Sequence, residues 1–275
     1  MKKLGLVFLL FLIAPLASAT DFSVSSYNPE RGDTVVIYFN NSKPQSVIFE
    51  NQSLSVFRYK NSNIAVFPIS ATKKPGNYPL KIVFNDNDVF EKQIRVKARK
   101  FLKIILGIPE ELGMTPKSLV TNLQTAKKEI ESVTEIKSED IFLNQQFGLP
   151  LLNNRRIGSV FGEIRKTGSE EIRHMGIDLT ANLGAGVAAI NSGIVRKAYT
   201  DAVYGNSVII DHGHGIFSAY FHLDKIKAKE NDSVKKGTII GTVGKTGYAT
   251  APHLHLSIKI NGVSVDPLRF VSVFK

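Results

Sequence analysis

Pro252-His253-Leu254-His255-Leu256-Ser257-Ile258-Lys259-Ile260 alternates polar and apolar residues without a break from His253 onward. Successive side chains of a β-strand point to opposite faces. Leu254, Leu256, Ile258 and Ile260 therefore form a core face, and His253 and His255 lie together on the other. Two imidazoles side by side, backed by leucines, are half of a metal site, although an isolated His-x-His on a strand more often serves structure or surface.

The neighbouring runs have the same character. Gly193-Ile194-Val195, Ser207-Val208-Ile209-Ile210 and Thr238-Ile239-Ile240-Gly241-Thr242-Val243 read as strands, and Asp201 to Gly205 and Gly244 to Pro252 read as loops. No helix-length periodic pattern occurs beyond about Gln146, so residues 147–275 form an all-β domain. All six histidines fall between 174 and 255, inside that domain. His174-Met-Gly-Ile-Asp178 supplies an imidazole and a carboxylate. They share a helical face at a spacing of four, but Gly176, Gly184 and Gly186 favour a loop running into a strand, with a bend bringing the two groups together. Neutral imidazoles with one carboxylate and an open position are the ligand set of a catalytic zinc. His222, in Tyr220-Phe221-His222-Leu223, interrupts an aromatic strand and is either a satisfied core histidine or a residue facing the site. His212 and His214, in Asp211-His212-Gly213-His214-Gly215, sit in a tight turn and read as structural or exposed.

Upstream the punctuation changes. Thr34–Phe39, Ser46–Phe49, Ile64–Phe67 and Leu80–Phe84 are short β-branched or alternating runs between turn residues, which predicts an antiparallel sandwich over residues 20–107. Arg31-Gly32-Asp33 matches an adhesion triplet but is better explained as a turn. Within a helical connector, residues 108–146, Leu119, Leu123, Ala126, Ile130 and Val133 recur at three and four residues. Thr115 suits the N-cap and Pro116 the first turn, and the helix is expected to pack across the junction of the two domains.

The first nineteen residues stand apart. Lys2 and Lys3, an apolar run from Leu4 to about Ile13, and Ala17-Ser18-Ala19 make a secretory signal peptide, with cleavage expected after Ala19. The run is shorter than the roughly 18–20 residues of a membrane span, so no transmembrane anchor is expected after cleavage. Removing Lys2 and Lys3 leaves a net charge of +9 from the +11 of the whole chain. That charge suits a polyanionic partner, and export disfavours nucleic acid. There is no cysteine, hence no disulfide and no lipid-bearing N-terminal cysteine.

Five segments occur in order: His174 to Asp178, Tyr204-Gly-Asn-Ser-Val-Ile-Ile-Asp-His212-Gly, Tyr220-Phe-His222-Leu, Val234-Lys-Lys-Gly-Thr-Ile-Ile-Gly241, and Thr246-Gly-Tyr-Ala-Thr-Ala-Pro-His253-Leu-His255. Over about residues 147–270 the chain closely resembles the lysostaphin/LytM-type zinc endopeptidases of bacterial cell walls. The resemblance implies a duplicated-hybrid-motif β fold, Zn2+ held by His174, Asp178 and His255, and catalytic assistance from His222 and His253 on the open side of the metal. It further implies peptidoglycan as the partner, cut at a peptide cross-link. A monomer is expected, and the signal peptide without an added C-terminal wall-binding module favours the periplasm, with secretion to the cell wall as the alternative. The front sandwich, with Arg31-Gly-Asp-Thr-Val and Lys74-Pro-Gly-Asn-Tyr-Pro-Leu, more loosely resembles the N-terminal domain of some of these peptidases. His214 departs from the family, which commonly has another polar residue there, and Gly148 to Arg156 lacks a frequent tryptophan-proline. Two rivals follow from the same residues. One is a non-catalytic wall-binding or hydrolase-activating protein; the other is a carrier or phosphotransfer domain, argued against by export and by the lack of a role for Asp178.

Overall fold

A computed structural model of the chain describes residues 22–40, 43–84, 88–105, 107, 113–136, 138, 145–151 and 156–274; the signal peptide read over residues 1–19 lies outside them. The front of the chain contributes strands β1 (Phe22–Val24), β2 (Thr34–Phe39), β3 (Ser46–Phe49), β4 (Gln52–Ser53), β5 (Val56–Tyr59), β6 (Ser62–Pro68), β7 (Gly76–Val83), β8 (Val89–Val96) and β9 (Lys103–Ile105). Helix α1 (Pro116–Thr134) follows. The rest comprises β10 (Arg156–Ser159), β11 (Ile164–Thr167), β12 (Glu170–Arg173), β13 (Ile177–Thr180), β14 (Gly186–Ala188), β15 (Gly193–Asp201) and β16 (Gly205–Asp211). It continues through β17 (Ile216–Ile226), β18 (Ser233–Val234), β19 (Ile239–Val243), β20 (His253–Ile260), β21 (Val263–Val265) and helix α2 (Pro267–Val273).

Two four-stranded sheets, ordered β1-β2-β6-β5 and β4-β3-β7-β8, make the sandwich. Between them lie Val35, Ile37, Phe39, Ala65 and Phe67 from one sheet and Val47, Phe49, Leu80, Ile82 and Ile94 from the other. The apolar run of β2 does not alternate because both faces are buried. Val36 belongs to a second core shared with the rest of the chain, together with Phe57, Tyr59, Phe147, Phe270 and Phe274. Tyr38 donates its hydroxyl hydrogen to the Val273 carbonyl, and Phe57 stacks on His214 with ring centroids 4.0 Å apart.

The Arg-Gly-Asp triplet is part of this junction. Gly32, at φ 91°, has no room for a side chain, since a Cβ there would lie 2.6 Å from the Phe161 ring. Its carbonyl accepts from the Asp266 amide, and Asp33 pairs with Arg269 of α2. A turn wedged between two packed units explains the triplet without an adhesive role.

The second unit is built on a ten-stranded sheet whose main path runs β10-β13-β20-β17-β16-β15-β18. Strand β19 joins β14 to β17, and β21 extends from β20. The run that opened the sequence reading is β20, at the centre, between β13 and β17. Leu254, Leu256, Ile258 and Ile260 are all buried in the main core, as their alternation requires.

Three features depart from the sequence reading. Strand β9, counted with the sandwich when that region is taken to residue 107, pairs in parallel with β11 in a separate sheet ordered β12-β11-β9. Helix α1 begins as expected, with a reciprocal capping box between Thr115 and Ser118. Its stripe, however, is seated on the large sheet: Ile130 and Val133 pack on Ile209, Phe217, Ala219 and Phe221. Finally, seven residues after Asp266 form α2, whose N-cap carboxylate accepts from the Leu268 and Arg269 amides. That helix is too short to display a period.

Candidate metal centre

The segment from His174 to Asp178 is not helical. The His174 backbone bonds to Glu163 and Gly162, and the chain then turns into β13, where Asp178 sits directly opposite His255 of β20. Gly176 permits the turn, because a Cβ there would lie 2.4 Å from the Leu256 carbonyl oxygen and 2.5 Å from Nε2 of His255. The bend expected from the glycines therefore exists, and strand pairing does the rest.

The result is a compact group of three side chains. His174 Nε2 lies 2.9 Å from Asp178 Oδ1 and 2.9 Å from His255 Nδ1, and His255 Nδ1 lies 3.0 Å from the same Asp178 oxygen. All three residues are buried. The Nδ1–H of His174 donates to the Val160 carbonyl at 3.0 Å, which leaves its Nε2 lone pair for the centre. Three donor atoms converging on one point, from two imidazoles and a carboxylate, fit a catalytic metal of the zinc type.

His222 and His253 stand beside this group. Their rings lie 4.8 Å apart, and the His222 ring lies 6.1 Å from that of His255. Each fixes its tautomer through the backbone: His222 Nδ1 donates to Thr246 O at 2.8 Å, and His253 Nδ1 to Ala251 O at 2.8 Å. Both therefore carry the Nε2 lone pair. His222 faces the site rather than serving as a satisfied core histidine. It has φ 61°, a left-handed conformation costing a non-glycine residue roughly 1–3 kcal/mol, found typically where function requires it. Its amide donates to Tyr204 O at 2.8 Å, which holds the distorted backbone in place.

Burial governs the charges here. It pushes the His222 imidazole down to about 3, helped by His253 and His255, and pushes His255 down to about 4 despite its bond to Asp178. Burial opposes ionisation of Asp178, but hydrogen bonds and charge from His174 and His255 outweigh it and hold the carboxyl far below its ordinary range. At neutral pH Asp178 is therefore a carboxylate beside the neutral imidazoles of His255 and His222, a protonation state that suits metal binding.

Sequence reasoning missed two participants. Arg165 of β11 donates through Nη2 to Asp178 Oδ2 at 2.8 Å and through Nε to Glu163 Oε1 at 3.0 Å. Nothing in the spacing ties these residues to Asp178; only the fold brings β11 alongside. The other histidine pair behaves as a turn. His212 is fully buried, with both ring nitrogens bonded, and His214 stacks on Phe57. A cleft of about 550 Å³ opens over the centre, lined by His174, His222 and His255 and by Leu119, Leu123 and Ile130 of α1.

Residues 172–267, which contain all five candidate residues, match peptidase family M23. The chain is 36% identical over 115 residues to the peptidoglycan DD-endopeptidase ShyC of Vibrio cholerae, covering 42% of this chain and 25% of that protein. It is 38% identical over 126 residues to lysostaphin of Staphylococcus simulans, covering 44% of this chain and 25% of that protein. The chain thus spans about a quarter of the length of these relatives. A solved structure of a putative M23 peptidase from Pseudomonas aeruginosa superposes with a TM-score of 0.66 at 25% identity, over 90% of this chain and 96% of that one. Residues 172–267 thus carry the match to peptidase family M23.

Proposed function

We propose that this M23 chain is an exported, zinc-dependent endopeptidase that hydrolyses peptide cross-links of bacterial peptidoglycan. The observation that carries the reading is the convergence of His174 Nε2, Asp178 Oδ1 and His255 Nδ1 within 3.0 Å of one another, beside two further histidines. Two relatives support the substrate class: one is named a peptidoglycan DD-endopeptidase and another a glycyl-glycine endopeptidase.

His174, Asp178 and His255 would hold the zinc. When bound, it supplies a Lewis acid and lowers the pKa of its water toward about 7. The chain's own residues do the remainder. His222 and His253, each with Nδ1–H tied to a backbone carbonyl, present Nε2 as a base that accepts a proton from the attacking water. The imidazolium so formed then protonates the leaving amine. The domain roles we assign are a signal peptide over 1–19, a sandwich over 20–107 except for β9, which joins the β12-β11-β9 sheet, a connector over 108–146 and the peptidase over 147–275. With a mature charge of +9, the protein would concentrate on an anionic wall, in the periplasm.

The test is digestion of purified sacculi by wild type, His255→Ala and His222→Ala, with fragments identified and zinc measured. His255→Ala is expected to lose metal and activity together, and His222→Ala to keep metal and lose activity. Full zinc and full cleavage in His255→Ala would show the site to be elsewhere. A wild type that holds zinc but leaves sacculi intact would favour a wall-binding or activating role.

A further inference from the structure

Asp178 has two carboxylate oxygens with different neighbours. Oδ1 faces His174 and His255, whereas Oδ2 receives the Arg165 Nη2 proton at 2.8 Å. The same guanidinium donates through the neighbouring Nε to Glu163, a carboxylate only 6% exposed. We propose that Arg165 is a positioning residue that restricts Asp178 to one-oxygen ligation and so keeps a coordination position open for water and substrate. The proposal rests on reading His174, Asp178 and His255 as metal ligands.

The physical need is specific. A catalytic site of this type has three protein ligands and one position for water or substrate. A carboxylate free to swing brings in its second oxygen and fills that position. A guanidinium blocks the swing, because its fork holds two acceptors in fixed directions and its charge offsets the buried carboxylates. A lysine at the same place offers charge without the fork.

The strand carrying Arg165 is braced on both sides. Strand β12 lies on one side and leads directly into His174; on the other, β9 sets Ile104 opposite Arg165, and the Ile164 amide donates to Leu102 O at 2.7 Å. The segment that links the sandwich to α1 is therefore part of the support of a metal ligand, three bonds removed from the centre.

The test uses the full-length protein, stripped of metal and reloaded with Co2+, as wild type, Arg165→Met and Arg165→Lys. Visible absorption reads the coordination number, because d–d bands weaken sharply when a four-coordinate cobalt gains ligands. Competition against a chelator reads affinity, a thermal melt of the metal-free protein reads folding, and kcat and KM are measured on peptidoglycan fragments. Arg165→Met is expected to show weaker bands per cobalt, roughly 10–100-fold lower affinity and a fall in kcat with little change in KM. Arg165→Lys should lie between it and wild type. Wild-type bands and kcat in Arg165→Met, or a rise in KM alone, would overturn the proposal and make the arginine a substrate contact or a bystander. Should Arg165→Met fail to fold, Arg165→Lys decides: weakened bands with a normal melt support the role, and wild-type bands with a normal melt refute it. Wild type that takes up no cobalt, or His255→Ala that takes it up equally well, overturns the ligand set itself, and the arginine's role with it.

Discussion

The chain contains two His-x-His pairs, and they have opposite fates. His212-Gly213-His214 follows β16 through a turn with φ 89° at Gly213 and 51° at His214, so the two rings part company. His212 turns inward, where Nδ1 donates to Ser192 O and Nε2 meets Ser218 Oγ, both at 2.7 Å. His214 turns toward the sandwich and stacks on Phe57. His253-Leu254-His255 stays in a strand, so both rings emerge on one face beside Asp178. The backbone takes only one nitrogen of His253, and His255 Nδ1 is directed at His174 and Asp178. What separates the pair at the candidate centre from the pair in the turn is therefore the conformation of the intervening residue and, at His212, the use of both ring nitrogens by the protein itself. The spacing of the pair is the same in both.

Substitutions sharpen this contrast. The largest effect is expected at the pair in β20: with His253 in the proposed proton-transfer role, His253→Ala should lower kcat by roughly 10²–10⁴-fold, while zinc content and melting temperature stay near wild type. Equal losses of kcat and zinc would make His253 a ligand and collapse the distinction drawn between it and His255. The matching change in the turn, His212→Ala, should do the reverse. It strands the Ser192 carbonyl, leaves Ser218 Oγ with Tyr220 Oη as its side-chain partner, and opens a void, together costing about 3 kcal/mol of stability. Activity per folded molecule and zinc binding should be unchanged, as urea unfolding and metal analysis would check.

The two pairs also show what could be read in advance. Strand β20 was legible because its alternation is perfect over eight residues, and the turn at 211–215 because glycine flanks both sides of His214. The segment containing His174 and Asp178 was legible as a bend through Gly176, and pairing of β13 with β20 supplies the convergence that no local pattern contains. Arg165 and Glu163 were illegible for the same reason. Arg165 meets Asp178, and Glu163 meets Arg165, only because the fold brings β11 alongside β13, and the parallel pairing of β9 with β11 joins residues about sixty positions apart. The continuous apolar run of β2 held a clue that went unread: a sandwich strand with one wet face alternates, and this one is buried on both sides.

Acid should widen the gap between folded and unfolded behaviour at His212. Burial pushes this imidazole down to about 4 from an ordinary 6.5, with the Ser192 carbonyl and Asp211 only partly opposing. The fold therefore favours the neutral ring. Its contribution is complete above the unfolded value and is lost as pH falls from 6.5 toward 4. At pH 4.5 the metal-free protein should be less stable than at pH 7.5 by roughly 2–3 kcal/mol from this group alone. His222, pushed down to about 3, acts in the same direction. His212→Gln should thus flatten the pH dependence of urea unfolding without abolishing it; an unaltered slope would mean that His212 is not the acid-sensitive group.

The smallest effect tests the outward half of the turn. His214 and Phe57 stack with 4° between their ring planes, joining the peptidase turn to the sandwich edge at β5. Such a pair contributes roughly 0.5–1.5 kcal/mol beyond area burial. A double-mutant cycle of His214→Ala and Phe57→Leu should therefore return a coupling of about 1 kcal/mol in urea unfolding, with cleavage rates unaffected. The single His214→Ala value cannot show this alone, because alanine inherits the left-handed φ and its strain along with the lost contact. A coupling near zero would leave the turn as a connection between strands and nothing more, and would remove His214 from the contacts that join the two units.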